Sequence, residues 1–120
     1  MKFSAQETLK LEAFGIQIEE YCKEKENPFP IDCAVIHFRD NEYPCKINHG
    51  FLETFFVLEG ECEILFEDGS VVQLHKRDFY IIEPEKKHIT RAKFADLVVC
   101  CTPPFEIRNV EFCEFLKENS

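Results

Sequence analysis

Tryptophan is absent from this chain, and no apolar run approaches the roughly 18–20 residues that a membrane span needs. With no tryptophan, the thirteen phenylalanines have to supply the bulky rings of the interior. Basic residues are also scarce: 14 Lys and Arg face 23 Asp and Glu, a formal charge of −9. That balance argues against binding a phosphate backbone, which takes clustered cations to displace counterions, and against adsorption to an anionic membrane. The opening "MKFSAQETLKLEAFG" lacks the uninterrupted apolar core of a secretory signal. No CxxC spacing occurs among the seven cysteines, so neither a disulfide framework nor a zinc knuckle is indicated. Several sit in apolar runs such as "CEILF" and "LVVCC", where a thiol behaves as a small hydrophobe. The expectation is a cytoplasmic protein with reduced thiols and neither nucleic acid nor membrane as partner. No repeat, low-complexity tract or linker divides the 120 residues, which read as a single domain.

What is present is mostly strand. From Ile31 onward, segments of about five to eight residues rich in β-branched and aromatic types follow one another. They are "IDCAVIHF", "CKINH", "ETFFVL", "ECEILFE", "SVVQL", "DFYIIE", "HITRAKF" and "DLVVCCT". Turn signals separate them at Asp40-Asn41, Glu59-Gly60, Asp68-Gly69 and Pro84. Asp68-Gly69 is the strongest hairpin signal. Evenly spaced strands in one domain predict an all-β sandwich or closed barrel. Short helices are expected at both ends. Ser4 and Glu7 have capping-box spacing before "AQETLKLEAF", and Asn109 is placed to cap "VEFCEFLKE".

The stretch "NHGFLETFFVLEGE", Asn48 to Glu61, carries the chemistry. His49 and Glu53 flank a turn-like "GFL", and His88 follows the proline of "DFYIIEPEKKHI". Two imidazoles and a carboxylate with open positions make a ligand set suited to Fe, Mn, Zn, Ni or Cu. The spacing alone is common by chance.

The order of the whole stretch is more specific. Residues 41–91 resemble the cupin superfamily, small jelly-roll barrels with two motifs. The first, approximately G-x5-H-x-H-x3–4-E-x6-G, is matched by Ile47, His49, Glu53 and Gly60; the second by Asp78, Pro84 and His88. The resemblance implies a jelly-roll barrel over about residues 31–102 and a divalent metal (Fe, Mn, Zn or Ni) held by His49, Glu53 and His88. It also implies a homodimer. Ile47 stands where cupins usually have a further histidine, and should share its strand face with His49 and point into the same mouth. A shifted register would put Lys46 and Asn48 at the histidine positions, which fits worse. The second motif loses its glycines: Arg77 precedes Asp78, and Glu85 follows Pro84, so those loops are expected to change shape.

Blander readings stand beside these. The trio is equally that of a cupin that has lost its metal and kept hydrogen-bonded polar groups. His37 reads as a partly buried strand residue, His75 as a surface turn residue, and Cys45 only as a remote thiol ligand. Thr90, two residues from His88, and Phe55 are expected to face the cavity. Two function classes follow. One is metal-dependent isomerase, epimerase, lyase or dioxygenase chemistry on a small oxygen-rich metabolite, a sugar or organic acid. The other is a non-catalytic binding or sensor cupin without metal. A structural dimer with a vestigial pocket is a third.

Overall fold

The computed structural model describes residues 1–22 and 27–114. Eight strands are found among them: β1 (Leu9–Ala13), β2 (Ile16–Glu20), β3 (Asp32–Asn48), β4 (Leu52–Phe66), β5 (Val71–Leu74), β6 (Phe79–Ile82), β7 (His88–Thr102) and β8 (Val110–Phe112). All pairings are antiparallel. The three long strands organise the jelly roll. β7 lies between β3 and β4, and each of those changes its other partner along its length. β3 pairs with β2 over Ala34–His37 and with β8 over Lys46–Asn48. β4 pairs with β6 over Glu53–Phe56 and with β5 over Cys62–Leu65. The segments read from the sequence as separate strands, such as "IDCAVIHF" and "CKINH", are thus two parts of one strand passing from one face of the barrel to the other.

Inward positions carry the core, including Ile16, Phe38, Phe55, Val57, Ile64 and Leu97, all buried. Gly60 shows why a glycine stands in the first motif. It has a φ of +77°, and a Cβ there would lie 2.1 Å from the carbonyl oxygen of Phe94. The chain bends over β7 with no room for a side chain.

Both expected terminal helices reduce to single 3-10 turns, Ala5–Glu7 and Ile107–Asn109. At the N-terminus, Leu9–Ala13 forms a strand instead, because Phe14 (φ 54°) and Gly15 (φ 79°) make the left-handed two-residue turn that suits a hairpin. At the C-terminus, Val110–Phe112 satisfies the open edge of β3. Residues 115–118 of the expected helix lie outside the described residues. The Asp68-Gly69 hairpin is present, closed by the Phe66 carbonyl accepting the Gly69 N–H at 2.9 Å.

Candidate functional site

A bulge decides which side chains enter the barrel. Tyr43 pairs with Thr90 and Lys46 with His88, so β3 carries one residue more than β7 between these pairs. The extra residue resets the alternation of the strand. Tyr43 and Lys46 therefore both border the interior cavity, and Asn48 follows Lys46 at period two, fully buried. Cys45 packs on the other side of the strand with Leu65, Ile89 and Cys113. Ile47 borders a groove shared with Phe66, Tyr80 and Lys86.

This arrangement corrects the expected site. His49 and Ile47 do share a parity, but it is the one that leads away from the cavity. The His49 side chain is exposed and clamped between Glu85 (Nδ1 to Oε2, 2.5 Å) and Glu111 (Nε2 to Oε1, 2.8 Å). Glu111, and then Glu85, raise its pKa. Glu53 and His88, by contrast, are brought together, His88 Nε2 lying 3.9 Å from Glu53 Oε1. Lys46, Asn48, Glu53, His88 and Thr90 are each no more than 6% exposed.

The polar floor of the cavity is built around Glu53. Lys46 Nζ donates to its carboxylate at 3.2 Å, and Asn48 Nδ2 donates to it at 3.2 Å. The Lys46 ammonium also lies 4.9 Å from the centre of the Tyr43 ring. His88 Nδ1 is 2.7 Å from the Lys86 carbonyl oxygen, which can only accept, so Nδ1 carries the proton and Nε2 presents a bare lone pair. Burial, reinforced by the Lys46 charge, holds the His88 pKa below the usual imidazole range. Burial and the nearby Glu53 push the Tyr43 phenol up to about 12, so it stays a phenol. The cavity measures about 80 Å³. Its remaining walls are mostly apolar, with Ile16, Ile18, Phe55, Val99 and Phe105 among them, while Glu20 and Asp32 add two carboxyl groups. Asp32 accepts the Phe105 N–H at 2.8 Å.

Three buried polar atoms around this floor have no hydrogen-bond partner among the described residues: Asn48 Oδ1, His88 Nε2 and Thr90 Oγ1. Thr90 and Phe55 border the cavity, as their spacing suggests. His37 is a half-buried strand residue held by Asp96 at 2.7 Å. His75 is exposed, and Cys45 lies 3.1 Å from Cys113, sulfur to sulfur.

A profile of the cupin domain matches residues 40–102, and the chain belongs to the cupin family. No curated protein matches it by sequence. Among solved structures it is similar to a variant of Streptomyces PAC13 with uridine, at a TM-score of 0.80 and 15% identity, over 95% of this chain and 91% of that one. The same protein is described elsewhere as the nucleoside dehydratase Pac13. Ectoine synthase from P. lautus matches at 0.71 and 16% identity, over 88% and 81%. A protein from Planctomyces limnophilus matches at 0.79 and 15% identity, over 93% and 96%.

With the fold in place, the first motif falls on the shifted register: Lys46-x-Asn48, four residues, Glu53, six residues, Gly60. The family's metal does not fit what stands there. An ammonium and an amide occupy the histidine positions, and His49 is turned away. The Lys46 charge, 3.2 Å from the carboxylate, already supplies the positive charge that a divalent ion would bring, and would repel one. Among the described residues no group of three or more His, Cys, Asp or Glu side chains is placed to hold a metal ion. Lys46 and Asn48 were open to sequence reasoning through the four-residue spacing to Glu53. Tyr43 and Glu20 carried no such signal.

Proposed function

We propose that this protein is a metal-independent small-molecule cupin, in which the Lys46–Glu53 pair takes the place of the ion and a small oxygen-bearing compound enters the cavity beside it. The observation that carries this reading is the set of unpartnered buried atoms, Asn48 Oδ1, His88 Nε2 and Thr90 Oγ1. Each such group costs about 1–3 kcal/mol when left unsatisfied. Thr90 borders the cavity, and Asn48 and His88 lie beside Glu53, which also borders it. A chain that keeps such atoms there is organised to exchange hydrogen bonds with a molecule from outside itself. Neighbours of the same fold named for work on small polar molecules, a nucleoside dehydratase and an ectoine synthase, lend support. Where chemistry accompanies binding, His88 Nε2 is the atom able to take a proton, and Lys46 holds a proton near any oxygen placed above Glu53.

The test is incubation of chelator-treated protein with a small-molecule extract, then mass spectrometry of what the washed protein releases on denaturation. Enrichment of a compound by the wild type, lost in His88→Gln, supports the reading. Enrichment that appears only when divalent metal is restored contradicts it.

A further inference from the structure

Two cysteines that take no part in the cavity meet on the other side of β3. Cys45 sits in the bulge between Tyr43 and Lys46, and Cys113 directly follows β8. The ladder to β8 brings them opposite each other. Phe112 pairs with Lys46, and the Cys113 N–H donates to the Cys45 carbonyl at 3.0 Å. Their sulfurs lie 3.1 Å apart, and both thiols are free. Antiparallel neighbours have Cα atoms about 4.5 or 5.5 Å apart, and a disulfide spans roughly 4.4–6.8 Å between Cα atoms. The backbone is therefore already spaced for a bond between the sulfurs.

The two thiols are not equivalent. Cys45 is buried against Leu65 and Ile89, and burial pushes its thiol up to about 12. Cys113 is only partly buried, so an oxidant reaches its sulfur first. The Lys87 ammonium favours a thiolate at both positions, although Glu67, 2.9 Å from it, offsets part of that charge.

We propose that Cys113 and Cys45 form a peroxide-sensitive dithiol whose closure to a disulfide fastens β8 to the stretch of β3 that carries Lys46 and Asn48. In the first step the peroxide O–O bond breaks. One oxygen bonds to Cys113 Sγ, giving a sulfenic acid, and the other leaves as water. Cys45 Sγ then displaces the bound oxygen, which takes up the thiol proton and departs as a second water. The thiols lose two electrons and two protons in all, and one peroxide becomes two waters. β8 has three residues, and short terminal elements open at the low end of local stability. A covalent tie there also holds Glu111 against His49.

Treatment of the reduced full chain with hydrogen peroxide, followed by peptide mass mapping without reduction, tests this. The expected product is a peptide linking Cys45 to Cys113, released again by dithiothreitol. Amide hydrogen exchange at Ile47, which pairs with Glu111, should slow at least about tenfold in the oxidised protein. In Cys45→Ser, dimedone should capture Cys113 as the sulfenic acid, and its failure to do so overturns the order of attack. Linkage of Cys33 to Cys100, which face each other across β3 and β7, in place of Cys45 to Cys113 overturns the proposal. So does peroxide that leaves Cys45 reduced, with Cys113 either untouched or carried on to the sulfinic acid. A linked pair with unchanged exchange at Ile47 overturns the fastening of β8.

Discussion

Lys46 and Glu53, on adjoining parts of β3 and β4, form an ion pair at 3.2 Å in which both side chains are buried. Burying two charges costs solvation that their attraction only partly returns, so a pair of this kind is weak support for stability. Removing one partner leaves the other uncompensated. Glu53→Leu is expected to destabilise the fold by about 3–5 kcal/mol, whereas Lys46→Met with Glu53→Leu should recover most of that loss. Urea denaturation of the two variants and the wild type measures it. Full recovery in a variant that no longer binds ligand would show that the pair is kept for binding.

The pH dependence follows from the two clamped histidines, which shift in opposite directions. His88 is held below its ordinary value of 6.5 by burial and Lys46. The unfolded chain therefore binds a proton more readily there, and stability is lost as pH falls from about 6.5 toward the folded-state value. His49 is raised by Glu111 and Glu85. Its contribution is complete below 6.5 and fades as pH rises through its folded value. Imidazole NMR titration should find His49 titrating above the ordinary range and His88 below it. Thermal melts from pH 7 to pH 5 should fall more steeply for the wild type than for His88→Gln.

Two non-glycine residues in the second motif take up backbone conformations that favour glycine. Arg77 (φ 75°) and Glu85 (φ 69°) both adopt the left-handed region. Hydrogen bonds hold each there: Arg77 N–H to the Val57 carbonyl at 2.8 Å, and Glu85 N–H to the Asn48 carbonyl at 2.9 Å. That conformation costs an ordinary residue roughly 1–2 kcal/mol. Arg77 is exposed, so Arg77→Gly should raise stability by about 0.5–1 kcal/mol, the relief being reduced by the greater freedom of glycine in the unfolded chain. Gly60→Ala should do the reverse and lower stability by more than about 2 kcal/mol, because the added carbon meets the Phe94 backbone. Thermal or urea denaturation reads both.

Much of the fold was legible because turn residues and β-branched runs report directly on strands, as at Asp68-Gly69. The ends were misread because Leu9, Leu11 and Ala13 suit a helix and a hairpin alike, and only the left-handed Phe14-Gly15 turn and the pairing with Ile16–Glu20 decide between them. Glu53, Thr90 and Phe55 border the cavity where motif spacing and strand alternation placed them. His49 was misplaced for a different reason. Strand parity was not what misled: Asp32, Ala34, Ile36 and Phe38 border the cavity on the same parity as Lys46, with the alternation offset only around Tyr43 and restored by the bulge before Lys46. The tolerance of the motif for three or four intervening residues hid the choice between His49 and the Lys46–Asn48 pair. The loops around Arg77 and Glu85 were expected to change because glycine was missing; in this chain both residues are left-handed and backbone hydrogen bonds hold them.

Metal titration calorimetry on three proteins bears most directly on the claim that Lys46 and Asn48, and not Ile47 and His49, stand at the metal position. Lys46→His with Asn48→His places two imidazoles beside Glu53 and His88, completing a three-histidine, one-carboxylate set suited to late first-row ions. This double variant is expected to bind Ni²⁺ or Zn²⁺ at least about tenfold more tightly than the wild type, roughly 1.4 kcal/mol. Ile47→His should match the wild type, its new imidazole lying away from the cavity. One equivalent of metal bound by the wild type and lost in His88→Gln, or a tenfold gain in Ile47→His, would contradict the account.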